Sequence, residues 1–381
     1  MSSRKVIILG ATGSIGRQTI ECVEAANAKN PGSFTITGLG ANRNAGDLLS
    51  LSSHFPGARL AVNDSVSREG IDISGPGAAE RLIRSTEADL VVNGIAGAAG
   101  LVASVEALSS GRNLALANKE SVVMGYSHLR SLAEAGRLSI IPVDSEHAAL
   151  FQLVSRIGTA SVTELTITAS GGPFRDRSAK DLAGIKPDEA ASHPVWKMGR
   201  KISIDSATLA NKGLELIEAV RLFGLGEEKV KVLVHPESIV HALVRTRDSA
   251  LYAHMSSPDM RLPINIALHW PREVEAAYGS LDLAGRSLHF EEPDLIRFPM
   301  LQLAREALRA GEAATIAYNA ANEVAVAAFE SGKIGFTQIA SLVATVLESD
   351  WTFPVPDLGS IFDSDGRARS LSQLALTEIQ C

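Results

Sequence analysis

From Arg4 to Asp144 the chain repeats one pattern, a short apolar run rich in β-branched residues followed by a helical run. The apolar runs are RKVIILG (4–10), FTITGLG (34–40), ARLAVND (58–64), DLVVNGI (89–95), NLALANK (113–119) and LSIIPVD (138–144). Helical spacing fills the gaps: after ATGSIG through Ala28, in AGDLLSLSSHF, in AAERLIRSTE (78–87), in LVASVEALSSG and in SVVMGYSHLRSLAEAG. Strands that are apolar throughout are buried on both faces, so the alternation predicts a parallel, doubly wound sheet covered by helices. In such sheets ligands bind beyond the carboxyl ends of the strands. Asn93-Gly94, Asn118-Lys119-Glu120 and Asp144-Ser145-Glu146 all fall at those ends.

After about residue 150 the pattern changes. VTELTITASGGPF (162–174) has the form of a strand ending in a Gly-Gly turn, and residues 230–256 have the form of several strands with antiparallel partners. Between them lie the polar segment KPDEAASHPVWKMGRK and a helical ANKGLELIEAVRLFG. Residues 270–295 are richer in proline and charge, and from Pro299 to about Ser349 the pattern is alanine-rich and helical. The expected architecture is α/β. It comprises an N-terminal Rossmann-type doubly wound parallel sheet (1–144), a central α+β catalytic domain (145–269), a linker (270–295) and a C-terminal helical domain (296–381). A chain of 381 residues is long enough for several cores.

Composition narrows the partners. A formal net charge of −7 with no basic stripe argues against nucleic acid. Two cysteines, Cys22 and Cys381, make neither a disulfide scaffold nor a cysteine zinc site, and they suit a reducing compartment. MSSRKVIILG enters a strand within a few residues, no signal pattern precedes it, and no run reaches membrane-spanning length. The expected location is the cytoplasm, with no membrane partner.

GATGSIG, with Gly10, Gly13 and Gly16, follows a strand and opens a helix. In that context a glycine turn lets backbone N–H groups meet a pyrophosphate at a helix N-terminus. The spacing G-x-x-G-x-x-G is less selective than G-x-G-x-x-G, and the plainer alternative is a tight turn without ligand. The second strand ends GLGANRN, with no acid before Asp47. An NAD site usually offers an acid there to the ribose 2′-OH, whereas Asn42 and Arg43 suit a 2′-phosphate, so the expected nucleotide is NADP(H).

Asp144 and Glu146 close an apolar run two residues apart, on the same side if the strand continues. Two like charges so close are costly unless they share a cation or a proton, and oxygen ligands suit Mg²⁺ or Mn²⁺. Alternatively Asp144 is the N-cap of a helix HAALFQLVSRIG and Glu146 supports its first turn. In ISIDSATLANKGLELIEA, Asn211, Glu215 and Glu218 share one helix face with Lys212 beside it, and spacing alone leaves Glu215 and Glu218 both open as a third ligand. Ser170 in SGGPF and Lys212 are candidate anion donors. His193 in SHPVWKMG is a candidate substrate contact. Trp196 and Met198, large apolar groups in a polar loop, suggest a lid. His235 and His241 look structural, and His147 looks like a helix-start residue.

Taken together, GATGSIG, LANKES, VDSEH, SGGPF, HPVWKMGRKISIDSATLANKGLE and HPESIVH resemble the 1-deoxy-D-xylulose 5-phosphate reductoisomerase family, in order and across essentially the whole chain. The resemblance implies NADPH, Mg²⁺ or Mn²⁺, a sugar phosphate substrate, a homodimer, and isomerisation followed by reduction in the non-mevalonate isoprenoid pathway. It implies that Thr12, Gly13, Ser14, Ile15, Gly40, Ala41, Asn42, Asn118, Glu120 and Gly199 contact the cofactor. Asp144, Glu146 and Glu215 would hold the metal, which decides against Glu218. Lys119, Ser145, Glu146, Ser170, His193, Trp196, Ser206, Asn211, Lys212 and Glu215 would face the substrate. Of these, Lys119, Asp144, Glu146, His193 and Glu215 would carry the catalysis. One departure stands out: some members carry Lys where Ala41 stands, leaving Asn42, Arg43 or backbone to meet the 2′-phosphate. A semialdehyde dehydrogenase would need a nucleophilic cysteine at a strand end, and a nucleotide sensor would need no acids or phosphate donors; both are disfavoured.

Overall fold

The computed structural model describes residues 3–64, 68–196, 198–275 and 278–380; Cys381 lies outside them. The chain divides into two compact units. One holds the residues up to Ser121 with Ser127–Ala148 and Asp259–Gly279; the other holds Val122–Tyr126, Ala149–Pro258 and the residues from Ser280 on.

In the first unit the chain runs β1 (Arg4–Leu9), α1 (Ser14–Lys29), β2 (Phe34–Ala41), α2 (Ala45–Ser52), β3 (Arg59–Val62), β4 (Ile73–Ser74), α3 (Ala78–Ser85), β5 (Leu90–Asn93), α4 (Gly100–Ser109), β6 (Asn113–Leu116), α5 (Lys119–Gly136) and β7 (Ile140–Pro142). Helix α6 (Ser145–Ile157) follows. The seven strands form one sheet in the order β4-β3-β2-β1-β5-β6-β7, and every pairing is parallel. Val6, Ile7, Ile8 and Leu9 are all buried, as strands covered on both faces require. The chain steps outward from β1 in one direction through β2 to β4 and in the other through β5 to β7. The β1 end is therefore the switch point where such sheets bind ligands.

The second unit adds β8 (Val162–Ala169), α7 (Ala179–Leu182), α8 (Pro187–Ala190), α9 (Arg200–Ala207), α10 (Ala210–Phe223), β9 (Val230–Val234), β10 (Val240–Thr246) and β11 (Leu251–Met255). Helix α11 (Arg261–His269) returns to the first unit, where it packs on α1. Then come α12 (Met300–Ala310), α13 (Glu312–Glu330), α14 (Gln338–Leu347) and α15 (Leu358–Gln380). The four-stranded sheet runs β11-β10-β8-β9, antiparallel except for the parallel β8–β9 pair. A parallel pair needs a long crossover, and here the crossover contains α7 to α10. Helix α10 packs on α12 at Gly213, where a Cβ would lie 2.8 Å from Ala304 Cβ and 2.5 Å from the Tyr318 hydroxyl. That close approach fixes how α10 lies, and with it the placement of Asn211, Lys212 and Glu215.

Helix α5 is kinked at Gly125 (φ −142°, ψ 29°). There the partly buried Arg221 donates to the carbonyls of Val122 (2.6 Å) and Val123 (2.5 Å) and to Thr315 Oγ1 (2.6 Å). Burial pulls its guanidinium down to about 10, partly offset by Glu312.

Several elements carry little local signal in the sequence. β4 has two residues, too few to show a period. α11 begins RLPI, where proline is tolerated in a first turn but masks the helical signal. α9 hides in a segment dominated by polar residues. α15 carries serines and Gly366 along its length, so packing against α13 and α14 rather than an apolar stripe makes it helical.

Candidate active site

The cofactor end is built first by glycine. Gly10 has φ +71°, and a Cβ on it would lie 2.6 Å from the Gly94 carbonyl oxygen, so only glycine lets the β1–α1 turn press against the end of β5. A Cβ on Gly16 would collide with the Gly10 carbonyl oxygen. The Ala11 N–H donates to Gly40 O (2.8 Å), which ties the turn to the end of β2. Gly13 caps α1 with no side-chain hydrogen bond, and no acid stands in the first turn. The start of α1 thus has neither a side-chain cap nor an acid, the arrangement that suits an anion at a helix N-terminus. Thr12, Gly13, Ser14 and Ile15 lie on this turn, and Gly40, Ala41 and Asn42 lie where β2 ends.

Asn118 caps α5. Its Oδ1 accepts from the Ser121 N–H (2.9 Å), and its Nδ2 donates to Ile95 O (2.7 Å), Gly97 O (2.9 Å) and Glu120 Oε2 (3.0 Å). With these bonds made, the side chain welds the β5–α4 loop to the β6–α5 turn, and its main chain is what remains for a ligand.

Asp144 lies between β7 and α6, so the extended geometry expected for Asp144 and Glu146 gives way to a helix start. Asp144 Oδ1 accepts from the Glu146 N–H (3.2 Å), which makes Asp144 the helix cap, and the same residue serves the site. Lys119 Nζ donates to Asp144 Oδ2 (2.8 Å), and His147 Nδ1 lies 3.0 Å from Asp144 Oδ1. His147 is fully buried, so it is the carboxylate's second partner as well as a helix-start residue. Ser145 Oγ donates to Glu146 Oε2 (2.5 Å). The local charge of two acids is thus met by an ammonium, an imidazole, a hydroxyl and the positive end of a helix.

In the second unit the Gly171-Gly172 turn after β8 has φ +82° and +69°, and a Cβ on Gly172 would lie 2.8 Å from Ser206 O at the end of α9. The turn therefore packs Gly172 against the main chain at the end of α9. Ser170 Oγ accepts from the Gly172 N–H (3.2 Å) and lies 2.9 Å from His193 Nε2. His193 Nδ1 accepts from the N–H groups of Val195 (3.2 Å) and Trp196 (2.9 Å). An imidazole nitrogen that accepts carries no proton, so the proton sits on Nε2 and points at Ser170. Burial first, and the Lys212 charge second, lower His193 to about 4. Trp196 is partly buried, with its ring 6.3 Å from that of His241. His241 is buried on Ser256 Oγ (2.9 Å), and His235 is buried with Nδ1 2.8 Å from His289 O.

Helix α10 begins with no side-chain cap. Asn211 Nδ2 donates to Glu215 Oε1 (2.5 Å), and Lys212 pairs with Glu215 Oε2. Lys212, Glu215 and Glu218 are all buried, so burial does not separate the two acids; the hydrogen bonds from Asn211 and Lys212 go to Glu215. Ser170 thus pairs with His193, and His193 in turn feels the charge of Lys212. Gly199 opens α9 with nothing within 4 Å of a Cβ position, so the described packing leaves space beside it.

Family models match the chain in order: 1-deoxy-D-xylulose 5-phosphate reductoisomerase over residues 6–125, the C-terminal domain of that enzyme over 140–223, and the DXP reductoisomerase C-terminal domain over 255–371. The 1-deoxy-D-xylulose 5-phosphate reductoisomerase of Treponema denticola is 44% identical over 377 residues, covering 98% of this chain and 97% of its own. That of Rhodococcus jostii is 44% identical, covering 96% and 92%. The chain belongs to the 1-deoxy-D-xylulose 5-phosphate reductoisomerase family. Membership makes it an NADP-dependent oxidoreductase. Two solved reductoisomerases share the fold: one in complex with NADPH, fosmidomycin and magnesium (37% identity, TM-score 0.88, 98% of each chain), and one from Zymomonas mobilis in complex with NADPH (38% identity, TM-score 0.88, 98% and 99%). Among the described residues no helix is long and apolar enough to cross a membrane. Two features of these surroundings had no clear sequence signal: His147 as a partner of Asp144, and the double acceptor role of His193 Nδ1. Both depend on backbone geometry.

Proposed function

We propose that this chain converts 1-deoxy-D-xylulose 5-phosphate to 2-C-methyl-D-erythritol 4-phosphate, using NADPH and Mg²⁺ or Mn²⁺, in the non-mevalonate isoprenoid pathway. The observation that carries the reading is 44% identity to a reductoisomerase along 98% of the chain. The enzyme acts as a cytoplasmic homodimer without nucleic acid or membrane partners. Each chain is organised as an NADPH-binding domain (1–144), a catalytic and dimerisation domain (145–269), a linker (270–295) and a helical domain (296–381).

The side chains suit both groups. Asp144, Glu146 and Glu215 supply only carboxylate oxygens, the donors that Mg²⁺ and Mn²⁺ prefer. The uncapped start of α1 suits a pyrophosphate, and the acid-free end of β2 suits a 2′-phosphate. When bound, the metal supplies charge stabilisation at adjacent substrate oxygens and NADPH supplies a hydride.

Asp144, Glu146 and Glu215 hold the metal. Ser170, Ser206, Asn211 and Lys212 bind the substrate phosphate, with His193 aligning Ser170, and Ser145 donates to the substrate. Lys119 balances negative charge or holds a proton. Trp196 closes over the substrate and excludes water. Thr12 to Ile15, Gly40 to Asn42, Asn118, Glu120 and Gly199 hold NADPH. The test is NADPH oxidation with 1-deoxy-D-xylulose 5-phosphate, with and without Mn²⁺. Metal-dependent turnover is expected, and no turnover, or turnover that a chelator leaves untouched, would overturn the reading.

A further inference from the structure

We propose that Arg17 is a specificity-determining residue for NADPH, supplying a cation to the 2′-phosphate that Ala41 cannot supply. The assignment rests on the reading that the glycine turn binds NADPH.

Arg17 follows Gly16 in the first turn of α1. Its Nε donates to Thr12 O (3.1 Å), so the side chain folds back over the glycine turn instead of extending along the helix. Its Nη2 reaches Asp47 Oδ2 (2.6 Å) in the first turn of α2. The guanidinium thus spans from the pyrophosphate turn to the far side of the β2–α2 connection. That connection holds only Asn42, Arg43 and Asn44, and its start is tied to β1 by the bond from the Ala11 N–H to Gly40 O (2.8 Å). The end of the second strand is where a dinucleotide's ribose 2′ substituent lies, and a nearby arginine is what accommodates a 2′-phosphate there.

Three further observations favour the assignment. The Arg17 side chain is 45% exposed, so it is open to a ligand. Thr12 O and Asp47 are its only acceptors among the described residues, which leaves further N–H groups of the fork for phosphate oxygens. Finally, Asp47 would repel a 2′-phosphate, and pairing with Arg17 offsets that charge while holding the guanidinium in place. Asp47 lies six positions beyond Ala41, past the strand end where an NAD-selecting acid stands. Arg43 is exposed and makes no ion pair among the described residues; it is the second cation of the pair.

The competing view is an ordinary surface ion pair, which would leave cofactor choice alone. The full-length chain and its Arg17→Gln and Arg43→Gln variants should be titrated with 2′,5′-ADP, 5′-AMP, NADPH and NADH, with binding followed by calorimetry. Arg17→Gln is expected to weaken 2′,5′-ADP and NADPH by about tenfold or more while 5′-AMP and NADH stay within about twofold. Unchanged 2′,5′-ADP binding, or equal weakening of NADPH and NADH, would overturn the proposal. A parent chain that binds neither dinucleotide would overturn the cofactor reading and the proposal with it. Arg43→Gln separates the two cations: a loss confined to Arg43→Gln assigns the phosphate to Arg43 alone.

Discussion

Asp144 takes its lysine from another element, whereas Glu215 takes its own from one turn away. Lys119 opens α5 after β6, and Asp144 follows β7; adjacent parallel strands end side by side, so topology places the ammonium 2.8 Å from the carboxylate. On α10, Asn211 and Lys212 reach Glu215 at i,i+4 and i,i+3, so helix periodicity alone does the placing. Solvation differs as well. The Lys119 and Asp144 side chains are 11% and 14% exposed, while those of Lys212 and Glu215 are 5% and 2% exposed. A locally built pair can be buried more completely because its geometry costs no extra ordering of distant chain. It is also less tolerant, since a deeply buried charge has little water to fall back on.

The sharpest way to break this comparison is to neutralise each acid in turn. Asp144→Asn and Glu215→Gln should both lower kcat/KM by about a hundred- to thousandfold, the scale of losing one preorganised charge at a reacting centre. They should differ in stability. Glu215→Gln removes the carboxylate from a buried ammonium and is expected to cost about 3–5 kcal/mol, whereas Asp144→Asn is expected to cost about 1–3 kcal/mol. Urea unfolding alongside the NADPH assay measures both. Equal stability losses would show that the more exposed pair is as tightly coupled as the buried one.

A smaller effect is expected from Arg221, which joins α10 to the Gly125 kink of α5. Arg221→Met fills similar space but leaves two carbonyls and the Thr315 hydroxyl without their donor. A destabilisation of about 2–4 kcal/mol is expected by urea unfolding. A loss under about 1 kcal/mol would mean that the kink holds without it.

The same contrast explains what could be read in the sequence. The face formed by Asn211, Lys212 and Glu215 is a helical period and is visible in one dimension, as are the glycine turn and the strands that are apolar throughout. The Asp144 surroundings were only half legible. Its position at a strand end was clear, but Lys119 lies 25 residues away and the turn into α6 at Ser145 replaces the extended geometry that the alternation suggested. The choice of Glu215 over Glu218 came from family resemblance, since both acids share spacing and burial. Within the expected helical domain, α15 has the weakest local signal, because it packs on α13 and α14, partners that no local window contains.

The smallest and most specific test concerns the two imidazoles. His147 stands against the anion Asp144, whereas His193 feels the cation Lys212. Burial and that charge hold His193 at about 4, below its ordinary 6.5. Between those values the unfolded chain takes up a proton that the folded chain refuses, so this contribution to stability is complete above about pH 6.5 and is lost as pH falls toward about 4. Protonation also fills Nδ1, which then cannot accept from the Val195 and Trp196 N–H groups. His193→Asn keeps an acceptor near the Nδ1 position but does not titrate. Unfolding measured across this pH range should therefore show a shallower slope for the variant, and protection of the Trp196 amide, relative to its intrinsic exchange rate at each pH, should fall with acid only in the parent. Identical slopes would place the His193 proton uptake at its ordinary value and remove the influence assigned to burial and to Lys212.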